Sequence, residues 1–186
     1  MGLDMYLSRK IYIGAIYEHR KITGTIDLYE NGKPLPIQLN QVSEITLRVG
    51  YWRKANAIHK WFVDNVQNGV DECQESCVTK EQLIELRNLC QQVLDQTTLE
   101  NGMVCNGQNY SNGKWKDNLE PGQIVTNPEV AARLLPASEG FFFGSTEYNQ
   151  WYIADIKETI EIIDAALKQA EQDGDKYQDF YYRASW

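Results

Sequence analysis

Alternation of apolar and polar residues opens the chain. Met5-Tyr6-Leu7 and Ile11-Tyr12-Ile13 place β-formers on either side of Ser8-Arg9-Lys10, which predicts one long strand or two short ones over residues 3–14. Ile22, Gly24, Ile26 and Leu28 then alternate with Thr23, Thr25, Asp27 and Tyr29, the period of a sheet with one buried face. Asn31-Gly32 supplies a turn, and Pro34 and Pro36 exclude a central strand after it, leaving Ile37–Leu39 only an edge pairing. Ser43–Val49 alternates again and leads into the longest helix signal, Gly50–Val66. There Trp52, Ala55, Phe62, Val63 and Val66 follow a three-and-four spacing, with His59 inside the stripe.

Beyond a loop-like stretch at 67–78, Thr79 and Gln82 make a capping box for a helix over about residues 80–96, with Leu83, Leu86, Leu89, Cys90, Val93 and Leu94 inward. From Thr97 to Gln123 the chain is rich in Asn, Gly and Ser and reads as a functional flap or a poorly ordered segment. Asn127-Pro128-Glu129 starts a short helix, with Asn as cap, that closes near Leu135-Pro136. In Gly140–Tyr148, three phenylalanines between glycines allow two readings, a stacking face for a planar ring or a core strand. A last helix over about 146–172, capped by Ser145 or Thr146, buries Tyr152, Ile156, Ile160, Ile163 and Leu167. It exposes an acidic ridge of Glu147, Asp155, Glu158, Glu161, Asp164 and Glu171. Phe180-Tyr181-Tyr182-Arg183 returns as a strand. The expected fold is one α+β domain over 1–186: an antiparallel sheet of the amino-terminal strands joined by the last strand, helices on one face.

Charge singles out the middle of the chain. Between Glu44 and Asp64 there is no carboxylate, whereas Arg48, Arg53, Lys54 and Lys60 all fall there, in a protein with 18 Lys+Arg against 26 Asp+Glu. On a helix starting at Gly50, Arg53, Asn56 and Lys60 line up beside the apolar stripe, and the first free N–H groups add positive potential near Arg53 and Lys54. A phosphate or carboxylate suits that place. Tyr51, Phe142 or Tyr148 would stack on an attached ring, and Ser145 and Thr146 would add donors at a second helix start. His59 is read as a half-buried histidine first and as a catalytic one second.

At 186 residues the chain can bury on the order of 70% of its unfolded surface. The net charge of −8 argues against sequence-independent binding to duplex nucleic acid. No window has the apolar length of a membrane span, and the amino terminus lacks a secretion signal, so a cytoplasmic protein is expected. Cys73, Cys77, Cys90 and Cys105 match no zinc knuckle; Cys90 reads as core, and Cys73 and Cys77 would pair only in an oxidising compartment. No Gly-rich phosphate loop, nucleophile elbow or metal signature occurs, so no catalytic set, metal or cofactor is expected. An aromatic content of 11% leaves a homo-oligomer open.

The segments MGLDMYL, GYWRKANAIHKWFVDNV, GFFFGSTEY and FYYRASW resemble a family of small proteins encoded by bacteriophages and prophages. The resemblance spans most of the chain and implies a phage setting in a bacterial cytoplasm, where accessory proteins of this size often counter host defence. The residues and the resemblance together suggest a protein that captures a small anionic, nucleotide-like ligand of host signalling. Two alternatives stand beside it: an inhibitor docking on a host defence protein, through the acidic ridge with Glu158 and Glu161 or through an aromatic surface, and an enzyme acting on nucleotides. The enzyme would use His59 with Glu147 or Asp4 orienting it.

Overall fold

The computed structural model describes residues 2–14, 16–21, 27–35, 37–140, 142–174 and 177–186. The alternation over Ile22–Ile26, Pro36 and the first phenylalanine of the aromatic run, Phe141, lie outside the described residues.

Strand β1 (Asp4–Tyr12) is one uninterrupted strand, with every second residue inward. It is flanked on one side by β4 (Glu44–Arg53) and on the other by β8 (Gln178–Ser185), both antiparallel. Short β5 (Ser76–Val78) adds to β8 and completes the order β4-β1-β8-β5; the loop-like reading of 67–78 missed it. Strands β2 (Leu28–Glu30) and β3 (Lys33–Leu35) form a separate exposed hairpin across Asn31-Gly32. Residues 37 and 38 are in no strand.

Helices α1 (Asn56–Asn65), α2 (Lys80–Gln96), α3 (Pro128–Leu134) and α4 (Gln150–Gln172) contribute to a contiguous core with the inner face of the sheet. The capping box at α2 is present, with Thr79 Oγ1 accepting from Gln82 N at 3.1 Å and Thr79 N donating to Gln82 Oε1 at 2.9 Å. Asn127 stands at the N-cap position of α3, with Pro128 after it, but its side chain makes no capping hydrogen bond. Its side chain instead joins the Gln96 carbonyl to the Thr98 N–H, tying the end of α2 to the following strand. The stretch 97–123 is ordered as a long hairpin, β6 (Leu99–Ser111) and β7 (Lys114–Val125), closed by Asn112 and Gly113, both at positive φ. Its base is tied to the start of α4, where Gln123 N donates to Gln150 Oε1 at 2.9 Å. All four cysteines are free, and burial pushes the Cys90 thiol up to about 12. No helix among the described residues is long and apolar enough to cross a membrane.

The largest departure from the expected elements is at Gly50–Arg53, which continues β4 instead of starting a helix. Trp52 is an inward strand residue whose indole N–H donates to Thr159 Oγ1 of α4 at 3.0 Å, and both are buried. Arg9 also lies on the inner face, where it donates to Gln178 Oε1 and pairs with Asp173 beyond the end of α4. Gly50 serves contact, not turning. A Cβ there would lie 2.5 Å from Ile162 Cγ2 and 3.1 Å from Leu7 Cβ, so its absence lets α4 lie close on the sheet. Gly50→Ala should therefore cost about 1–3 kcal/mol through overpacking. Equilibrium urea unfolding checks this, and adding Ile162→Ala, which removes the struck methyl, should make the two losses less than additive.

Candidate functional site

The cationic island is folded through a strand, a turn and a helix, and this sorts its members. Lys54 sits at φ 61, in the left-handed region, between the end of β4 and the start of α1. Its N–H donates to the Leu3 carbonyl at 2.8 Å, and its carbonyl accepts from Asn56 N at 2.8 Å. Asn56 is buried and saturated: Nδ2 donates to the carbonyls of Phe143 (3.3 Å) and Ser145 (2.8 Å), and Oδ1 accepts from Ser138 N (3.2 Å). It fastens the 138–145 segment to the first turn of α1 and has no donor left for a ligand.

Arg53 and Lys54 line a cleft of about 700 Å³ with the bulge of the hairpin at 105–108, Ser145, Glu147, Trp151 and Asp155. Both cations are exposed, and neither forms an ion pair among the described residues. Burial, with a smaller contribution from Glu158, raises the Asp155 carboxyl to about 7. Asp155 is thus not part of a solvated ridge. Residues Tyr152, Ile156, Thr159 and Ile163 are the buried stripe of α4, and Asp155 stands on it three residues after Tyr152 and four before Thr159. That spacing is the signal in the sequence that would have found it. Of the remaining ridge, Asp164 accepts from Arg87, while Glu158 and Glu161 face solvent.

His59 and Lys60 open instead on a second cavity of about 400 Å³, shared with Asp64, Asp71, Phe143 and Trp186. Lys60 is paired with Asp64 at 2.7 Å. His59 is buried, with Nδ1 2.7 Å from the Tyr182 hydroxyl and Nε2 2.9 Å from Asp71 Oδ2. Burial first, then Asp71, drives the Tyr182 hydroxyl well above its ordinary range, so it stays protonated beside Nδ1 while Asp71 stands beside Nε2. Both ring nitrogens are engaged. The carboxylate that orients His59 is Asp71, not Glu147 or Asp4; Asp4 accepts from the Tyr51 hydroxyl at 2.5 Å, and Glu147 lines the larger cleft.

Arg48 and Tyr51 lie on the outer face of the sheet, and Arg48 lines a third hollow with Tyr6 and Arg183. The aromatic run makes no described strand: Phe142 is exposed at φ 68, whereas Phe143 is buried with its ring edge-on to His59. Ser145 Oγ accepts from Glu147 N, a local turn contact, and Thr146 is exposed and lines none of these three cavities. Tyr148 packs edge-on against Tyr152, and its hydroxyl accepts from Ala137 N, so it supports the fold. Helix α4 begins at Gln150, capped by Asn149, whose Oδ1 accepts from Trp151 N and Tyr152 N; Ser145 and Thr146 are not its caps. No group of His, Cys, Asp and Glu that could hold a metal occurs among the described residues.

The raised carboxyl sets a dependence on pH. A carboxyl with a folded pKa near 7 and an unfolded one near its ordinary 3.8 contributes stability that is complete below about pH 4 and lost as pH rises to 7. At about 1.4 kcal/mol per pKa unit, and with Asp155 partly open to solvent, the loss is roughly 2–4 kcal/mol. Urea unfolding should show Asp155→Asn more stable than the wild type at pH about 8, with the difference vanishing near pH 4. No protein-family model, curated protein or solved structure matches this chain, so its function has to be argued from this geometry.

Proposed function

We propose that the protein captures a small anionic ligand, of the nucleotide class, in the 700 Å³ cleft, with Arg53 and Lys54 meeting its phosphate. The observation that carries this reading is that two cations with no ion pair among the described residues border one concave site next to an exposed indole, Trp151, able to cover a planar ring. Lys54 does so from a left-handed backbone, a conformation that a non-glycine residue keeps only where its surroundings impose it, and such residues gather at ligand sites. In a phage-infected bacterium such a protein would act as a sink for a signalling nucleotide. Capture is favoured over conversion because His59 lines the other cavity and does not border this cleft.

The alternative of docking on a host protein draws support from the hairpin. The register of β6 and β7 puts Met103, Leu119, Tyr110 and Trp115 on one face, each more than half exposed. On that reading Trp115→Ser with Leu119→Ser should abolish association with a purified partner while leaving nucleotide binding in the cleft intact; the opposite pattern removes this alternative.

Isothermal titration with a panel of cyclic mononucleotides tests the main reading, because a phosphodiester keeps one charge across neutral pH. Arg53→Ala should weaken binding about tenfold or more, the scale of one lost charge-assisted hydrogen bond. Below about pH 7 Asp155 is neutral and above it carries a charge that opposes an anionic ligand, so affinity should rise from pH about 8 to about 6 and lose that dependence in Asp155→Asn. Lys54→Gly should bind weakly without loss of stability, since glycine accepts φ 61 freely. No binding by any member at high excess would end the proposal.

A further inference from the structure

On the outer face of the four-stranded sheet the register sorts the side chains into rows. Tyr51, Tyr6 and Arg183 form one row across β4, β1 and β8; Arg48, Ser8 and Tyr181 form the next. The Tyr6 and Tyr51 rings are tilted at 45° with centroids 5.5 Å apart, and the Arg48 guanidinium lies 5.0 Å over the Tyr6 ring. A hollow of about 350 Å³ is bounded by Tyr6, Ser8, Arg48, Glu75, Arg183 and Ser185. Its one carboxylate, Glu75, is held by Lys10 at 2.6 Å. Arg48 and Arg183 are exposed and have no ion pair among the described residues.

We infer that this sheet face is a second binding site, for the phosphate and base of a nucleotide, either free or within a short single strand. The two guanidiniums supply forked donors for phosphate oxygens, and the partly exposed Tyr6 and Tyr51 rings supply the surface on which a base stacks. A duplex does not suit it. The cationic patch spans two rows of the sheet, and a net charge of −8 opposes a longer polyanion, whereas one or two phosphates are attracted locally. This site shares no lining residue with the 700 Å³ cleft, so it stands or falls independently of the reading above.

The test is fluorescence anisotropy of the full chain with labelled single-stranded oligonucleotides of mixed sequence at low ionic strength. It is run in an Arg53→Ala/Lys54→Ala background so that the cleft makes no contribution. Saturable binding is expected. Adding Arg48→Ala/Arg183→Ala should weaken it about tenfold or more and flatten the slope of log affinity against log salt by roughly 1.4, the amount for two phosphates on a single strand. Tyr6→Leu should weaken it about fivefold or more while leaving that slope unchanged. Competition by a 5′-mononucleotide at similar concentration identifies the free nucleotide as the ligand; failure to compete identifies the strand. Absence of binding by either ligand, or equal binding by the Arg48/Arg183 variant with its circular dichroism unchanged, overturns the inference.

Discussion

The left-handed backbone at Lys54 is the constraint on which the rest of the structure depends. Trp52 must face the core and Asn56 must already be helical, which leaves three residues to turn from a strand onto a helix above it. A residue at φ 61 makes that corner. The conformation costs about 1–2 kcal/mol for a residue with a Cβ. It is held by the hydrogen bond from Lys54 N to Leu3 and by close neighbours without side chains: a Cβ at Gly144 would lie 3.2 Å from that of Lys54, and one at Gly2 3.4 Å from its Cε. The corner also delivers Asn56 to the point where its amide holds three backbone groups of the 138–145 segment. One tight junction thus fixes both walls beside the cleft.

The same corner explains why a continuous cationic stretch does not become a continuous cationic wall. Along β4 the side chains alternate, so Arg48 and Tyr51 go to the outer face while Gly50 and Trp52 go inward; the bulge opposite Leu7 and Ser8 accounts for the odd spacing between Arg48 and Tyr51. After the corner the helical period takes over. His59 is then buried against Tyr182, and Lys60, one residue on, reaches Asp64. Three different local geometries share out four cations among three cavities.

Where one period ran through an element, the sequence was legible: β1, the capping box and stripe of α2, the buried face of α4 and the returning β8 all follow from it. Gly50–Trp52 reads as helix because Trp52 and Ala55 extend the three-and-four spacing of the following helix back into a buried strand, and only contact with Ile162 distinguishes the two. The hairpin was hidden by its own solvation, since beyond residue 105 both faces are exposed and no burial pattern exists to read; Asn112-Gly113 between Tyr110 and Trp115 was the available sign. In the site, Arg53, Lys54 and Ser145 do border one cleft. The partners of His59 come from 12 and 123 residues away and no local pattern encodes them.

Electrostatics reconciles an acidic protein with the two proposed anion sites. At physiological ionic strength a charge is screened over about 8 Å, so the excess of carboxylates acts on a ligand only where they lie within that distance. Near the cleft the carboxylates are Glu147 and Asp155, and burial removes much of the charge of the second at neutral pH. On the sheet face Glu75, which lines the hollow, is held by Lys10, and Asp4 is held by the Tyr51 hydroxyl. Each site is therefore locally positive inside a molecule that repels long polyanions. A ligand carrying one or two phosphates meets the local field, whereas a duplex meets the whole surface, so the overall charge selects for small size without weakening the contact itself.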